Sequence, residues 1–411
     1  MKENRCSMGN EMLKIQGIDL DKFDDELQLM MIRQGFLSGL TLDQIRTYTN
    51  PDFTWEQMFQ IKQGFLSGLS MEQIMVYTNP DFTCDQMKEI QRGFISGLTL
   101  DQIRTYAKPD LEADEMKEIR MGFMNGLTID HVQLYADTNF DHNQMREIRI
   151  GLELGLSVDH VMVYADPRYG TGYMYQIRRG FEYGLSLEQI MVTILYSKNS
   201  DQMKEIQKGF LNGLTSEQIM VYADKEIKYS QMREIRLGLE SGLSADQMRI
   251  CREYEYDNDE VHQMVLGFIN GLSIDQVKVY ATPVFNRHQM SEIRIGLEFG
   301  LSVDQVMVYV DPGIDDNCMK FIRTQLESGL SIDKARVLAN PRFDMRQLTQ
   351  IQEGFQSGLS IDQVKRYANT YFNWEQMQTI REKFENENEV EDESDPDEDY
   401  CDEDSDYYDE D

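Results

Sequence analysis

A glycine followed by a leucine recurs every 29 residues along this chain, twelve times without an insertion or a deletion. These glycines are Gly39, Gly68, Gly97, Gly126, Gly155, Gly184, Gly213, Gly242, Gly271, Gly300, Gly329 and Gly358. A second glycine stands four residues before each of them, except in the eleventh repeat, where Gln325 takes its place. A fixed period of roughly this length is typical of arrays in which each unit buries its apolar face only against its neighbours. The period therefore predicts a repeat architecture.

Each repeat predicts two helices, which we name A and B. Helix A follows a Thr, Asp or Asn in nine of twelve repeats, and these residue types cap helix N-termini. In the second repeat, residues 54–82, Met58, Ile61 and Phe65 then recur at helical spacing. The Gly-Leu pair predicts a left-handed glycine just beyond the end of helix A, with an apolar contact after it.

Helix B begins immediately after this pair. Ser or Thr stands at all twelve positions from Thr41 to Ser360, with an acidic residue two positions on and Gln at the third position in nine repeats. This is the pattern of a capping box, as in Ser70 to Gln73. The helix should be about eight residues long, with residues such as Ile74 and Tyr77 facing inward, and a proline often ends the linker that follows.

These patterns predict an all-α fold, an α-solenoid of twelve 29-residue helical hairpins over residues 25–384. Residues 1–24 are predicted to form an N-terminal cap or irregular helix. Residues 385–411 hold 17 acidic residues and no Lys or Arg, which predicts a disordered acidic tail. Two roles are open for this tail: keeping the protein in solution, or docking on a basic partner.

The glycine in the middle of helix A needs its own explanation, because glycine there costs about 1 kcal/mol relative to alanine. It falls on the flank of the helix. We expect it to allow close approach of a neighbouring backbone, and so to permit tight packing of each helix A on the next. Around residues 193–201 and 251–260 the helix B tyrosine and the linker proline are both replaced, which predicts local changes of packing.

The charge of the chain excludes some classes of function. It has 411 residues, with 40 Lys and Arg against 73 Asp and Glu, for a net charge of −33. Such a balance argues against direct nucleic-acid binding and against an anionic membrane surface, both of which need cations on the protein. No apolar stretch is long enough to span a bilayer, and the first ten residues hold no apolar run of a signal peptide. Five scattered cysteines favour a reducing, cytoplasmic location.

No pattern in the chain predicts catalysis, a metal or a cofactor. His131 and His160 share one position of helix B, about 10 Å apart by helix stacking, which is too far to share a zinc ion, so capping is the better interpretation. The recurrent acid of helix B complements the helix dipole, and ten of the 26 methionines fall at one core position. Arg–Glu pairs four residues apart are predicted to lie on a solvated face of helix A; they are Arg149/Glu153, Arg236/Glu240 and Arg294/Glu298.

Positions that vary from repeat to repeat are the candidates for contact with a partner. Two of them lie four residues apart on helix A, on the face opposite its core residues, and several repeats carry apolar side chains there. The predicted partner-binding residues are Met121, Ile150, Leu154, Tyr183, Leu237, Leu266, Ile295 and Phe299. Stacked in register, they would line a stripe for a peptide or a helix. The alternative is that this face is covered by neighbouring B helices.

The repeat pattern QMxEIRxGLxxGLSxDQVxVYAxPxF resembles short helical-repeat proteins of gut anaerobic bacteria and their mobile elements, over roughly residues 26–384. The resemblance implies a bacterial source and a solenoid, but no activity. In general plan the array is also similar to other α-solenoids. We therefore expect a non-enzymatic scaffold that binds a protein or peptide. The alternative is an acidic mimic of nucleic acid that antagonises a DNA- or RNA-binding protein, with carboxylates in place of phosphates.

Overall fold

The computed structural model describes residues 18–253 and 258–392, with side chains through residue 387. Within these ranges it holds one 3-10 turn, Leu20–Lys22, and 25 α-helices, and no strand. We number the α-helices α1 to α25 in chain order, so that odd numbers are A helices and even numbers are B helices. The A helices are α1 (Glu26–Leu37), α3 (Trp55–Leu66), α5 (Cys84–Ile95), α7 (Ala113–Met124), α9 (His142–Glu153), α11 (Thr171–Glu182), α13 (Ser200–Leu211), α15 (Tyr229–Glu240), α17 (Asn258–Ile269), α19 (Arg287–Glu298), α21 (Asp316–Glu327), α23 (Met345–Gln356) and α25 (Trp374–Asp392).

The B helices are shorter, with four to nine residues. They are α2 (Leu42–Tyr48), α4 (Met71–Met75), α6 (Leu100–Tyr106), α8 (Ile129–Gln133), α10 (Val158–Met162), α12 (Leu187–Leu195), α14 (Ser216–Ile219), α16 (Ala245–Ile250), α18 (Ile274–Lys278), α20 (Val303–Val306), α22 (Ile332–Leu338) and α24 (Ile361–Tyr367). Most are therefore shorter than the sequence predicted.

The predicted helix ends are confirmed. All twelve Gly-Leu glycines have φ between 79° and 94°, the left-handed region that a side chain disfavours. The expected capping boxes form at the B helices, and several A helices, for which only an N-cap was expected, have them as well. Thr54 accepts from the backbone N–H of Gln57 at the start of α3, and the Gln57 side chain accepts from the Thr54 N–H. The same exchange joins Ser70 and Gln73 at α4.

The chain divides into two compact units, Met1–Gln207 and Lys208–Asp411. Within the first unit each A helix packs on the next, from α1 through α11, and each B helix packs on the A helix of its own hairpin. The second unit repeats this arrangement from α15 through α25. The predicted α-solenoid of helical hairpins is thereby confirmed. The core of most hairpins is built from the Met, Ile and Phe or Leu of helix A, from the Ile or Val of helix B, and from a Tyr at the end of helix B or just after it, such as Met58, Ile61 and Tyr77.

The glycine inside helix A was expected to lie against the backbone of the neighbouring helix A, and this prediction is wrong. A Cβ atom on Gly64 would overlap the side chain of Ile74, in helix B of the same hairpin, and the hydroxyl group of Tyr77, just after that helix. The glycine therefore makes room for a tyrosine side chain within one repeat, not for the backbone of the next helix A. The tyrosine side chain is long enough to extend across the hairpin to the backbone of its helix A.

Glutamine side chains join consecutive repeats. Gln144, the third residue of α9, is buried, and its side-chain oxygen completes the cap of its own helix. Its amide nitrogen donates to the carbonyls of Pro167 and Tyr169, 3.0 and 2.7 Å away in the linker that follows α10. Gln28, Gln57, Gln86 and Gln289 make the same pair of contacts. One residue type thus both caps a helix and fixes the next linker.

The Arg–Glu pairs were predicted to lie on a solvated face, and the structure corrects this. Arg149 is only 5 % exposed, and Arg236 and Arg294 are also buried. Arg149 does bind Glu153 within its helix at 2.7 Å, but it also donates to Glu118 of the preceding repeat at 2.9 Å. Pairs 31 residues apart recur as Arg120–Glu89, Arg178–Glu147 and Arg323–Glu292. The pairs therefore form a buried ladder between adjacent A helices, which the intrahelical spacing concealed.

The ends of the array differ from expectation where they are described. The last helix, α25, runs to Asp392, so residues 385–392 are helical and not part of a disordered tail. An ion pair of 2.7 Å between Arg381 and Glu385 extends the helix past the predicted end. The rest of the predicted tail, residues 393–411, and most of the predicted N-terminal cap lie outside the described residues, as does the segment 254–257 within the second irregular repeat.

Candidate partner-binding surface

No group of three or more His, Cys, Asp or Glu among the described residues is arranged to hold a metal ion. Burial raises the pKa of the Cys251 thiol to about 12. Burial and a hydrogen bond to Asp315 likewise raise that of Cys318 to about 12. Both thiols are therefore protonated, poor nucleophiles at neutral pH. No helix in the described ranges is long and apolar enough to cross a membrane.

The two histidines at the shared helix B position do not complete capping boxes. The backbone N–H groups of His131 and His160 bond to the hydroxyls of Thr128 and Ser157, as at other B helices. Their rings do not return to the cap, however. The ring of His160 instead stacks on Phe181 of the next repeat, with 4.4 Å between centroids. His160 therefore packs against the next repeat, and the prediction that the two histidines cap helix B is wrong for their side chains.

The predicted partner-binding residues lie on the surface. Leu154, Tyr183 and Phe299 are 61 %, 54 % and 76 % exposed, and Leu237 is also exposed. Met121, Ile150, Leu266 and Ile295 are half-buried. Four of these residues, from Met121 to Tyr183, belong to the first unit, and the other four belong to the second. The B helices do not bury any of them, contrary to the alternative that the sequence left open.

These residues belong to a larger surface of the first unit, which we call the outer A face. It consists of the first residue of an A helix and the residues 4, 8 and 12 positions later, in repeats two to six. Its twenty residues are Trp55, Phe59, Gln63, Ser67, Cys84, Lys88, Arg92, Ser96, Ala113, Lys117, Met121, Asn125, His142, Arg146, Ile150, Leu154, Thr171, Tyr175, Arg179 and Tyr183. None of them is buried.

The charge of the outer A face is opposite to that of the chain. Five of its twenty residues are Lys or Arg and none is Asp or Glu, whereas the whole chain carries −33. The exposed acids of this unit lie elsewhere, for instance at the second residue of every B helix from Asp43 to Glu188. Asp85 and Asp114 border the face at the second residue of α5 and α7. The outer A face itself therefore carries basic side chains and no acidic ones.

Repeat six supplies a group of aromatic and cationic side chains on the outer A face. Tyr175, Arg179 and Tyr183 follow one another at four-residue intervals along α11, and their side chains touch. The guanidinium of Arg179 lies 5.9 Å from the ring centre of Tyr175 and 4.4 Å from that of Tyr183. A cation held between two rings stiffens all three side chains. Leu154, on the adjacent repeat, adds exposed apolar surface at the position equivalent to Tyr183.

The second unit shows the same pattern in repeats eight to ten. The equivalent positions are Tyr229, Arg233, Leu237, Ser241, Asn258, His262, Leu266, Asn270, Arg287, Ser291, Ile295 and Phe299, of which none is acidic and none is buried. Acids enter at these positions only later, as Asp316 and Glu353. The four predicted residues of this unit therefore also lie on an acid-free surface.

Sequence reasoning found the apolar part of this surface but missed its charge. It considered two positions of each A helix, and the cations Lys88, Lys117 and Arg146 stand four residues before the first of them. It also missed exposed apolar residues at the C-terminal ends of the A helices, such as Leu66, Ile95 and Met124. Reading all four positions of the i, i+4, i+8, i+12 row would have revealed the absence of acids.

A comparison of the sequence with known protein families and with curated proteins finds no match to either. The resemblance to bacterial short-repeat proteins therefore remains a prediction.

Proposed function

We propose that this chain is a non-enzymatic scaffold that binds another protein through the outer A face of its first unit. One observation carries the proposal: twenty neighbouring positions are all open to solvent and all free of acid, in a chain with nearly twice as many acids as cations. Random placement of side chains on a solvated surface would put several acids among twenty positions. The absence of acid favours a surface kept free for a partner.

The residue types on the face support protein binding in particular. Arg, Tyr, Trp, Phe and Met are enriched in the cores of protein interfaces, while Asp and Glu, which the face lacks, are depleted there. Tyr175, Arg179 and Tyr183 with Leu154 form a compact group of this kind. The buried Arg–Glu ladder holds the A helices that carry these residues in register, and so do the hydrogen bonds from glutamine side chains to the following linkers. A rigid support reduces the entropy lost on binding. We place this function in a bacterial cytoplasm, where widely spaced free cysteines stay reduced.

Affinity capture with variant baits tests the proposal. The full chain and the variant Leu154→Ser/Tyr183→Ser are immobilised and exposed to a bacterial lysate. A matched control, Met162→Ser/Leu195→Ser, removes equally exposed apolar side chains from α10 and α12. We expect one or more proteins to be retained by the wild type and the control but lost from the first variant. If every captured protein is retained equally by all three folded baits, the outer A face is not the binding site.

A further inference from the structure

We infer that the outer A face of the first unit takes an acidic peptide segment that also carries apolar side chains. This inference rests on the proposed function and names the chemistry of its partner. The face combines two features that must be matched together: a row of cations in repeats three to five, and exposed apolar and aromatic side chains in repeats five and six.

The cationic row is formed by one position of helix A in three consecutive repeats. Lys88, Lys117 and Arg146 stand 29 residues apart, at the fifth residue of α5, α7 and α9. Lys88 and Lys117 form no ion pair within 4.0 Å among the described residues. One nitrogen of Arg146 lies 3.4 Å from Glu118, which Arg149 already binds. Arg92 and Arg179 add two cations at the next position of the face, but each is paired with a glutamate of its own helix, Glu89 and Glu182. Lys88 and Lys117 thus keep a positive charge that no ion pair within the described ranges compensates, and this charge is complementary to carboxylates.

The apolar end of the face lies beside this row. Ile150 and Leu154 continue α9 beyond Arg146, and the Tyr175–Arg179–Tyr183 group stands at the equivalent positions of α11. Exposed Leu and Tyr side chains gain by covering each other's apolar surface, at about 25 cal/mol per Å² buried. A partner that presented only carboxylates would leave this part of the face uncovered.

The spacing suits an extended peptide. Packed helices lie about 8–10 Å apart, and an extended chain rises about 3.3 Å per residue. Every third residue of an extended peptide laid across the A helices would therefore meet the next repeat. A segment of about twelve residues would cross repeats three to six, with its acids over Lys88, Lys117 and Arg146 and its apolar residues over repeats five and six.

The same features disfavour nucleic acid as the occupant. A phosphate chain carries its charge evenly and has no aliphatic side chains to cover Leu154, Tyr175 and Tyr183, which stand beside Arg146 and Arg179 in repeats five and six. The chain as a whole carries −33, and exposed acids line the B helices, so a polyanion is repelled at a distance. A peptide that alternates carboxylates with apolar side chains carries less charge and uses both halves of the face.

Peptide selection on the full-length protein tests the inference. A display library of random peptides of about twelve residues is selected on wild-type protein and on two variants. Lys117→Glu/Arg146→Glu reverses two charges of the face, and Arg46→Glu/Arg104→Glu reverses two exposed cations of B helices as a matched control. Circular dichroism establishes that each variant is folded, and Lys117→Gln/Arg146→Gln replaces the first variant if it is not.

The expected result is a set of peptides with net negative charge and at least two apolar residues. The affinity of the enriched peptide, measured by fluorescence anisotropy, should fall tenfold or more with the face variant, stay within twofold with the control, and weaken as salt rises. Face-dependent peptides without an excess of acids would overturn the inference while leaving the proposed scaffold intact. Tighter binding of a twelve-nucleotide oligothymidylate than of the enriched peptide would also overturn it.

The acidic C-terminal segment could compete with the peptide, and it therefore requires one further experiment. Residues 393–411 hold twelve acids together with Tyr400, Tyr407 and Tyr408, which is the chemistry inferred for the ligand. The peptide titration is therefore repeated on full-length protein in which these twelve acids are replaced by Asn or Gln. Equal or tighter binding to this protein is expected. Loss of binding would show that the peptide had not been held by the outer A face, and would overturn the inference.

Discussion

The hydroxyl group of Tyr367 lies where a Cβ atom on Gly354 would stand, and it donates a hydrogen bond of 3.2 Å to the backbone carbonyl of Gln350, four residues before the glycine. The missing Cβ lets the phenol reach the backbone of helix A from helix B of the same hairpin. The arrangement recurs at Gly35 and Tyr48 and at Gly296 and Tyr309. Burial raises the pKa of these tyrosines, so the hydroxyls remain donors well into alkaline pH.

This pairing predicts that Gly354→Ala destabilises the protein, although alanine is the better helix former by about 1 kcal/mol. The added methyl group would overlap a buried oxygen, and we expect a loss of roughly 2 kcal/mol. Adding Tyr367→Phe removes that oxygen, so the double variant should lose less than the sum of the two single variants. The measurement is urea denaturation of the full chain. As a control, Gly172→Ala in α11, where a Cβ meets nothing closer than 3.8 Å, should be neutral or stabilising.

The eleventh repeat carries the converse substitution. Gln325 replaces the glycine of helix A, and Leu338, a fully buried residue, replaces the tyrosine of helix B. Leu338→Tyr should therefore be strongly destabilising, by about 2 kcal/mol or more, because Gln325 has a Cβ atom at the position where other repeats have none and accommodate the tyrosine hydroxyl. Gln325→Gly in the same protein should recover at least half of that loss. Additive effects of the two substitutions in urea denaturation would show that the positions do not compete for space.

Much of this fold is predictable because the residues of each repeat mark where its two helices begin and end. The Ser or Thr cap, the acid in the first turn and the glycine at the end of helix A are local signals, and the structure confirms them. The Gly–Tyr pairing also leaves a trace, since Gln325 and Leu338 change together in one repeat. Its physical cause was missed, because the sequence does not show how deeply the phenol ring crosses the hairpin.

The buried ladder and the outer A face were less accessible to sequence reasoning. Arg149 and Glu153 have the spacing of an ordinary intrahelical pair, and only the stagger of adjacent helices brings Glu118 to the same guanidinium. That stagger depends on tertiary packing. The outer A face is visible as a row of four positions, but whether helices cover it is decided only by the three-dimensional structure.

Repeat four lacks the glutamine whose side chain binds the next linker in other repeats, and this absence predicts a stabilising substitution. Glu115 takes the place that glutamine holds in α3, α5 and α9, and it accepts from the backbone N–H of Glu112 at 2.9 Å. As a carboxylate it cannot donate to the carbonyls of the next linker, as Gln144 does. Burial raises the pKa of Glu115, although the bond from Glu112 opposes this. We expect Glu115→Gln to stabilise the protein by about 1 kcal/mol at pH 7, the net value of a hydrogen bond.

The pH dependence of this gain has a definite sign. Because folding raises the pKa of Glu115, its protonated form is favoured in the folded state. The stability that this group contributes is present below its unfolded pKa of about 4.3 and is lost as pH rises through the folded value. The benefit of Glu115→Gln should therefore be small near pH 4 and larger at pH 7. Urea denaturation at the two pH values measures it, and a larger gain at the lower pH would contradict the assignment.

The ladder between α7 and α9 predicts a large cost for removing one buried charge. Glu118 has a side chain only 2 % exposed, and it accepts from Arg149 at 2.9 Å. Burial alone would lower the pKa of Arg149, but the bond to Glu153 and the charge of Glu118 raise it overall. Glu118→Ala leaves a buried guanidinium without one of its two carboxylates, and such losses cost about 3–5 kcal/mol.

Replacing both Glu118 and Arg149 distinguishes the cost of an unpaired buried charge from the cost of losing an ordinary core contact. Glu118→Leu/Arg149→Met should cost much less than Glu118→Ala, because no buried charge is left unpaired. Arg336→Ala, which removes the exposed partner of Asp333 on α22, should cost less than about 1 kcal/mol. Urea denaturation at low and high salt measures all three variants. High salt should leave the effect of Glu118→Ala nearly unchanged, since buried pairs are poorly screened; an effect that vanished with salt would place this ion pair in solvent.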